Sequence, residues 1–253
     1  YYEGGSGTPL VFLHGAGGVL PGDPLLEKLS QKYHLYAPLL PGYGDSEECG
    51  DIRDMLDFAL HTADVIDALG LKDPILVGHS MGGMIAAEMA AIAPHDITRL
   101  GLIAPAGLWM DDHPIPDLFA TMPYEYPNLL FHDAAQGAAL LTANTRIDDP
   151  EWLKAFLVTN ARQLGMAGKI LFPIPERGLS SRLYRIKAKT LLIWGEDDAY
   201  LSPMLASGNE PFVRDLTVHR LPGASHWVQH DAPAEVARLI SEWAREKGLA
   251  API

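Results

Sequence analysis

The sequence predicts an α/β protein: a mostly parallel central sheet flanked by helices, with a helical segment inserted late in the chain. Three observations predict it. Short apolar runs alternate with longer helical patterns, as βαβ units require. The runs are continuously apolar, which suits strands covered on both faces. One long stretch then breaks the alternation without offering a strand of its own.

In chain order, strands are expected at Leu10–Leu13, His34–Leu39, Pro74–Val77, Leu100–Ala104, Thr190–Trp194 and Leu216–Leu221. Helical patterns occupy Pro24–Lys32, Ile52–Leu69, Met81–Ala93 and Pro233–Lys247. Asp51 is placed to cap the second helix, and Gly70 to end it in a left-handed conformation. The stretch from Gly107 to Arg185 carries many prolines and scattered aromatics, with helical periodicity in Asp133–Ala143 and Pro150–Gly165. The reading is a core of residues 1–106 and 186–253 with a helical cap, 107–185, inserted between two strands.

Composition sets outer limits. The chain has 253 residues, 48% of them hydrophobic, and a mean hydropathy of +0.04. That is enough chain for one large core and a sizeable insertion. A net charge of −13 repels nucleic acid and anionic membranes, so neither is expected as a partner. Cys49 is the single cysteine, which rules out an intramolecular disulfide. It lies in Glu47-Glu48-Cys49-Gly50 with no basic neighbour to activate it, and reads as an incidental loop thiol. No apolar run reaches membrane-spanning length and no signal-peptide pattern precedes the first strand, so a cytoplasmic location is expected. The sequence opens on Tyr1-Tyr2-Glu3 without an initiator Met, consistent with further N-terminal residues.

The sharpest chemical signal is Gly78-His79-Ser80-Met81-Gly82, between a strand and the Ala-rich helix that follows. A serine on that turn sits in a strained conformation, and small neighbours are needed because the chain folds back on itself. The helix N-terminus places backbone N–H groups beside its hydroxyl. A second signal is His14-Gly15-Ala16-Gly17-Gly18, directly after a strand. It lacks the residues of a P-loop or a dinucleotide fingerprint, but it can aim a backbone N–H at a developing oxyanion. Ala16 and Met81 are the candidate donors. Two more signals follow: Gly195-Glu196-Asp197-Asp198 after a buried strand, and Gly223-Ala224-Ser225-His226-Trp227 near the end. A serine hydroxyl needs a base, and the base needs an acid to fix its tautomer. Ser80, one of the acids at 196–198 and His226 all fall at carboxyl ends of strands, where open α/β sheets build their sites.

Together these four motifs, in this order, resemble the α/β-hydrolase superfamily from Tyr1 to the C-terminal helix. Pro41-Gly42-Tyr43-Gly44-Asp45-Ser46 resembles that family's loop after its second parallel strand, and is read as structural. The resemblance implies Ser80 as nucleophile, His226 as base and Asp198, last of a Gly-x-x-Asp string, as orienting acid; Asp197 and Glu196 are the alternatives. His79 should point away from the nucleophile, His219 lies in a strand, His230 reads as a rim or cap contact, and His113 and His132 belong to the cap. Family members usually carry more antiparallel strand before the Gly-rich loop than this sequence provides.

The implied reaction is acyl transfer to Ser80 and hydrolysis by water, with no metal or organic cofactor; the histidines do not form a metal-ligand spacing. Cap aromatics suggest an apolar pocket, with Trp109, Trp152, Phe156 and Trp227 as substrate-binding candidates. The leading expectation is a small apolar or aromatic carboxylic ester or lactone. The alternative is a C–C bond hydrolase of ring-cleavage products, which Ser80-Met81-Gly82-Gly83 and Trp227 after His226 resemble. That alternative needs a cap arginine for a substrate carboxylate, Arg162 or Arg177. A ligand receptor without turnover is the reading from another class. The sequence leaves oligomeric state open.

Overall fold

The computed structural model describes residues 1–143, 145–207 and 213–246. Its sheet has seven strands: β1 (Tyr2–Gly4), β2 (Pro9–Leu13), β3 (His34–Ala37), β4 (Ile75–His79), β5 (Arg99–Ile103), β6 (Lys189–Gly195) and β7 (Leu216–Leu221). Their order is β1-β3-β2-β4-β5-β6-β7. All neighbours run parallel except β1, which pairs antiparallel with β3. Strand β4, which delivers Ser80, therefore lies in the middle, between β2 and β5. Both flanks shield it from water, and β4 and β6 are buried at every position.

Helices pack on this sheet for legible reasons. Helix α1 (Pro24–Ser30) starts on Asp23, whose carboxylate accepts the Leu25 and Leu26 N–H groups, with Pro24 in the first turn. Helix α2 (Met55–Ala68) is capped by Asp54, which accepts the Asp57 N–H. This corrects the expectation for Asp51: Ile52 is needed in the core, 3% exposed, so the helix begins after it. Gly70 takes φ +67° at the other end, as expected. Helix α3 (Met81–Ile92) buries Met81 to Ala91 throughout, and its alanines let it lie close to the sheet. Near the C-terminus come α7 (Met204–Ser207), α8 (Val228–Asp231) and α9 (Pro233–Arg245). Helix α9 buries Val236, Leu239, Ile240 and Trp243 while Arg238 bridges Glu235 and Glu242 outside. The expected end of that helix at Lys247 lies outside the described residues.

Between β5 and β6 the described residues form α4 (Tyr126–Leu130), α5 (Ala134–Thr142), α6 (Pro150–Leu171) and a 3-10 turn at Leu183–Arg185, without a strand. Asp133 and Asp149 cap α5 and α6. Helix α6 runs past the expected stop at Gly165 because Met166, Ala167, Ile170 and Leu171 bury against the core. The sequence reading missed β1, α4, α7 and α8, all five residues or shorter. It also took β7 as a strand covered on both faces. Strand β7 is an edge, and Leu221 is its one buried position.

Candidate active site

The chain turns sharply between β4 and α3, and Ser80 stands on the turn with φ 52° and ψ −117°. That conformation is strained for a residue with a Cβ and persists because its surroundings over-determine it. The Ser80 N–H donates to the Ile103 carbonyl at 2.9 Å and its own carbonyl accepts from Ala106 at 3.0 Å. The flanking glycines are obligatory. A Cβ at Gly78 would lie 2.3 Å from the Gly82 carbonyl oxygen, and one at Gly82 would lie 2.2 Å from that of Leu13.

The Ser80 hydroxyl donates to His226 Nε2 at 2.9 Å, and His226 Nδ1 donates to Asp198 Oδ2 at 3.0 Å. The second Asp198 oxygen accepts the Tyr200 and Leu201 N–H groups at 3.0 and 2.8 Å. The carboxylate thus meets three donors and cannot swing away. Of the acids after β6, Asp198 is the one that reaches His226. Asp197 instead faces His132 at 2.9 Å, half exposed, and Glu196 is exposed. Ser80, His226 and Asp198 are each at most 5% exposed, so proton transfer along this chain is sheltered from water. The arrangement can carry a serine through nucleophilic attack with general-base help.

The Gly-rich loop lies directly across Ser80: a Cβ on Gly15 would sit 3.1 Å from the Ser80 Cβ. His14 fixes that loop. The Leu40 N–H donates to His14 Nε2 at 3.0 Å, so the ring proton is on Nδ1, which donates to the Gly15 carbonyl at 2.8 Å. Gly18 N–H donates to the same carbonyl at 3.0 Å. A trans peptide points its N–H opposite its C=O, so pinning the Gly15 oxygen also sets the direction of the Ala16 N–H. Burial lowers the His14 pKa to about 4, keeping the ring neutral and this tautomer in place. Tyr43 adds a hydroxyl bond to the Ala16 carbonyl at 3.1 Å. Met81 opens α3, where helix N–H groups lack intrahelical partners. Neither the Ala16 nor the Met81 N–H is spent on a backbone bond among the described residues.

Other candidates fall in different places. Trp227 is 7% exposed, packed 5.0 Å from both Phe131 and His230 and edge-on to His79. Trp109 borders a narrow crevice, with room for about 10 Å³, alongside Asp117, Phe119, Leu171 and Tyr200. That crevice touches the Ser80–His226 centre through Tyr200, whose ring stands edge-on to His226 at 4.9 Å. Trp152 and Phe156 depart from expectation. They stack on each other at 5.1 Å on the outer part of α6, and Phe156 is 45% exposed. No ring contact or hydrogen bond joins them to Ser80 or His226 among the described residues. The reason is that α6 packs at its C-terminal end, leaving its first turns in solvent.

His230 is buried rather than on a rim, its side chain 7% exposed with Nε2 3.4 Å from Asp23, and it makes the expected contact with the inserted segment through the Phe131 ring at 6.4 Å. Arg162 is engaged by Glu48 at 2.9 Å and the Ser46 carbonyl at 2.9 Å. Arg177 donates to the Ile170 and Phe172 carbonyls. The sequence reading missed His14, Tyr200 and Gln229 as parts of the site. A histidine before a Gly-rich loop was the available signal for the first; the other two are legible only in three dimensions. No group of three or more His, Cys, Asp or Glu is placed to hold a metal among the described residues.

A central β4, a strained serine turn and the Asp198–His226 pair following β6 and β7 define a class, and comparison with known proteins names it. The model of the alpha/beta hydrolase family matches residues 10–239, and the chain belongs to that family. Similar proteins include the 2-hydroxy-6-oxo-6-phenylhexa-2,4-dienoate hydrolase of Comamonas testosteroni, 29% identical over 98% of this chain and 91% of that protein. The 2-hydroxymuconate semialdehyde hydrolase of Pseudomonas sp. (strain CF600) is 26% identical over 99% of this chain and 91% of its own length. Among solved structures, a meta-cleavage product hydrolase from Pseudomonas fluorescens superposes with TM-score 0.76 at 18% identity, over 96% of this chain and 92% of that one. The chain is a hydrolase of this fold.

Proposed function

We propose that this hydrolase cleaves a C–C bond next to a ketone carbonyl in a small ring-cleavage-type product, through an acyl-enzyme on Ser80. The observation that carries the reaction type is the hydrogen-bonded chain Ser80–His226–Asp198. The choice of bond is supported by the relatives, which are named as hydrolases of dienoate and muconate semialdehyde compounds. His226 takes the Ser80 hydroxyl proton as Oγ bonds to the carbonyl carbon, and the Ala16 and Met81 N–H groups face the resulting oxyanion. The C–C bond then breaks, its electron pair staying on the departing carbon, which takes the proton that His226 received from Ser80 and leaves the ring neutral again. Water, deprotonated by His226, releases the acid and regenerates Ser80. Residues 107–185 act as the cap, tied to the His226 loop by the Trp227 N–H bond to the Leu130 carbonyl, 2.9 Å. Trp109 and Tyr200 form the substrate wall beside His226.

A second reading, hydrolysis of a neutral ester or lactone, is favoured by one observation. Both cap arginines that could hold a substrate carboxylate are already engaged, Arg162 by Glu48 and Arg177 by backbone carbonyls. The test is a pair of steady-state assays, loss of dienone absorbance from a ring-cleavage product and release of p-nitrophenol from short acyl esters, each beside Ser80→Ala. Higher kcat/KM on the dienone supports the first reading, and turnover of esters alone supports the second. No turnover of either, with ligand still bound, would replace both with a receptor.

A further inference from the structure

We infer that His79, the residue before Ser80, is a positioning residue that holds the backbone of His226 and so sets the reach of the His226 ring to the Ser80 hydroxyl. The inference rests on the reading of Ser80 and His226 as nucleophile and base. The His79 ring is turned away from the Ser80 hydroxyl but not into inert packing. Its Nε2 lies 3.0 Å from the His226 carbonyl oxygen, and the Gln229 side-chain amide lies 3.1 Å from its Nδ1. These two contacts fix the tautomer. The carbonyl accepts only, so the proton is on Nε2; Nδ1 then accepts from the Gln229 amide N–H. Burial, with His226 close by, keeps the ring's pKa well below the usual range and the ring uncharged.

The pieces come from three elements. His79 ends β4, His226 lies in the loop after β7, and Gln229 sits on α8, 150 residues from His79. His79 and Gln229 are 3% and 5% exposed, so no water competes. The His226 loop is held on its other side by the Trp227 N–H bond to the Leu130 carbonyl. Without His79 the loop would keep the Asp197 N–H bond to the Ala224 carbonyl and the Ser225 N–H bond to Asp231, but the buried carbonyl of His226 itself would lose its donor. Among the described residues the Gln229 amide makes its side-chain hydrogen bond to His79, and its Oε1 has no partner there. A ring at this position that merely filled space would need neither contact.

The experiment follows the rate at which a fluorophosphonate labels Ser80, and steady-state kinetics on the better of the two assayed substrates. It also follows the low-field proton resonance of His226 Nδ1–H in the bond to Asp198. Absence of labelling in the wild-type protein would overturn the nucleophile–base reading and this inference with it. With the wild type labelled, His79→Leu is expected to lower kcat and the labelling rate by about 100-fold, the cost of a small misplacement of a reacting group. KM should stay near its original value, and the low-field resonance should broaden or move. His79→Gln, which can give one hydrogen bond and accept another, should recover most of the rate. If His79→Leu does not fold, Gln229→Leu removes the donor to Nδ1 without touching the serine turn, and should still lower kcat and disturb the resonance. A His79→Leu protein, or in its place Gln229→Leu, with unchanged kcat and resonance overturns the inference. So does a loss confined to KM, or a His79→Gln protein no better than His79→Leu.

Discussion

Helices α3 and α6 belong to the same chain and are built on opposite terms. Eleven of the twelve residues of α3 are buried, whereas α6 buries four of twenty-two. Helix α3 runs under the sheet behind Ser80 with Ala and Gly wherever backbones approach, so nearly every atom has a fixed neighbour. Helix α6 meets the core over its last turns and leaves Phe156, Leu157 and Val158 about half exposed. The same contrast extends to the regions around them. The core holds its reactive groups by short bonds from three strand ends, while the insertion is tied down at a few points. Those points include Leu130 to Trp227, His132 to Asp197, Arg162 to Glu48, Lys169 to the Ile52 carbonyl and Arg182 to Glu88. The Ser80–His226–Asp198 chain lies where positions are over-determined, and the insertion is the less tightly packed of the two regions.

The widest gap between the two regions should appear on removing the base. His226→Ala is expected to lower kcat by about 10⁶-fold, the effect of deleting a member of such a unit. A loss of less than a hundredfold would mean that another group takes the Ser80 proton. Next, Asp198→Asn should cost about 10⁴-fold by spoiling the His226 tautomer. Asp197→Asn, which breaks only the half-exposed pair with His132, should stay within a few-fold. The reverse ranking in kcat/KM would transfer the acid's role to Asp197.

A third effect probes the seam between the regions. Glu88, on α3, is 1% exposed and is met by Arg182 through two bonds, 3.0 and 2.5 Å. Arg182→Met leaves that carboxylate buried and unpaired, at a cost of about 4 kcal/mol in urea unfolding. Replacing both partners, Glu88→Gln with Arg182→Met, should return much of it. If the single change is neutral, the tie carries no weight.

The fourth effect is a pH dependence. His14 has its pKa lowered from 6.5 to about 4 by burial, so the unfolded chain takes up a proton before the folded one does. Its contribution to stability is complete above pH 6.5 and falls away as the pH drops toward 4, by about 3 kcal/mol over that window. His79, also lowered by burial, acts in the same direction. Urea midpoints of wild type and His14→Asn between pH 4 and 7 check this; parallel curves would remove His14 from the account. The smallest effect belongs to the outer face of α6. Trp152→Ala and Phe156→Ala should each shift stability by less than about 1 kcal/mol and leave acyl-chain preference unchanged. A changed preference would bring that stacked pair back over Ser80.

Much of this was legible in the sequence wherever a conformation depends on residues a few positions apart. Gly78, Ser80 and Gly82 announce the strained turn because a Cβ at either glycine has nowhere to go. The strands were visible because burial on both faces leaves a continuous apolar run. Trp152 and Phe156 misled because aromatic composition says that a side chain prefers company, not which company; here each found the other. Asp197 and Asp198 are adjacent acids, and no local property separates them. The sequence by itself thus determined the fold class, the serine turn and the supply of a base and acid at strand ends. Tertiary structure decided which acid meets His226, what His79 does and where the aromatics of the insertion lie. The physical reason is distance along the chain: His226 reaches Ser80 across 146 residues and Asp198 across 28. Contacts of that span are selected by how whole elements pack, not by the propensities of the residues that make them.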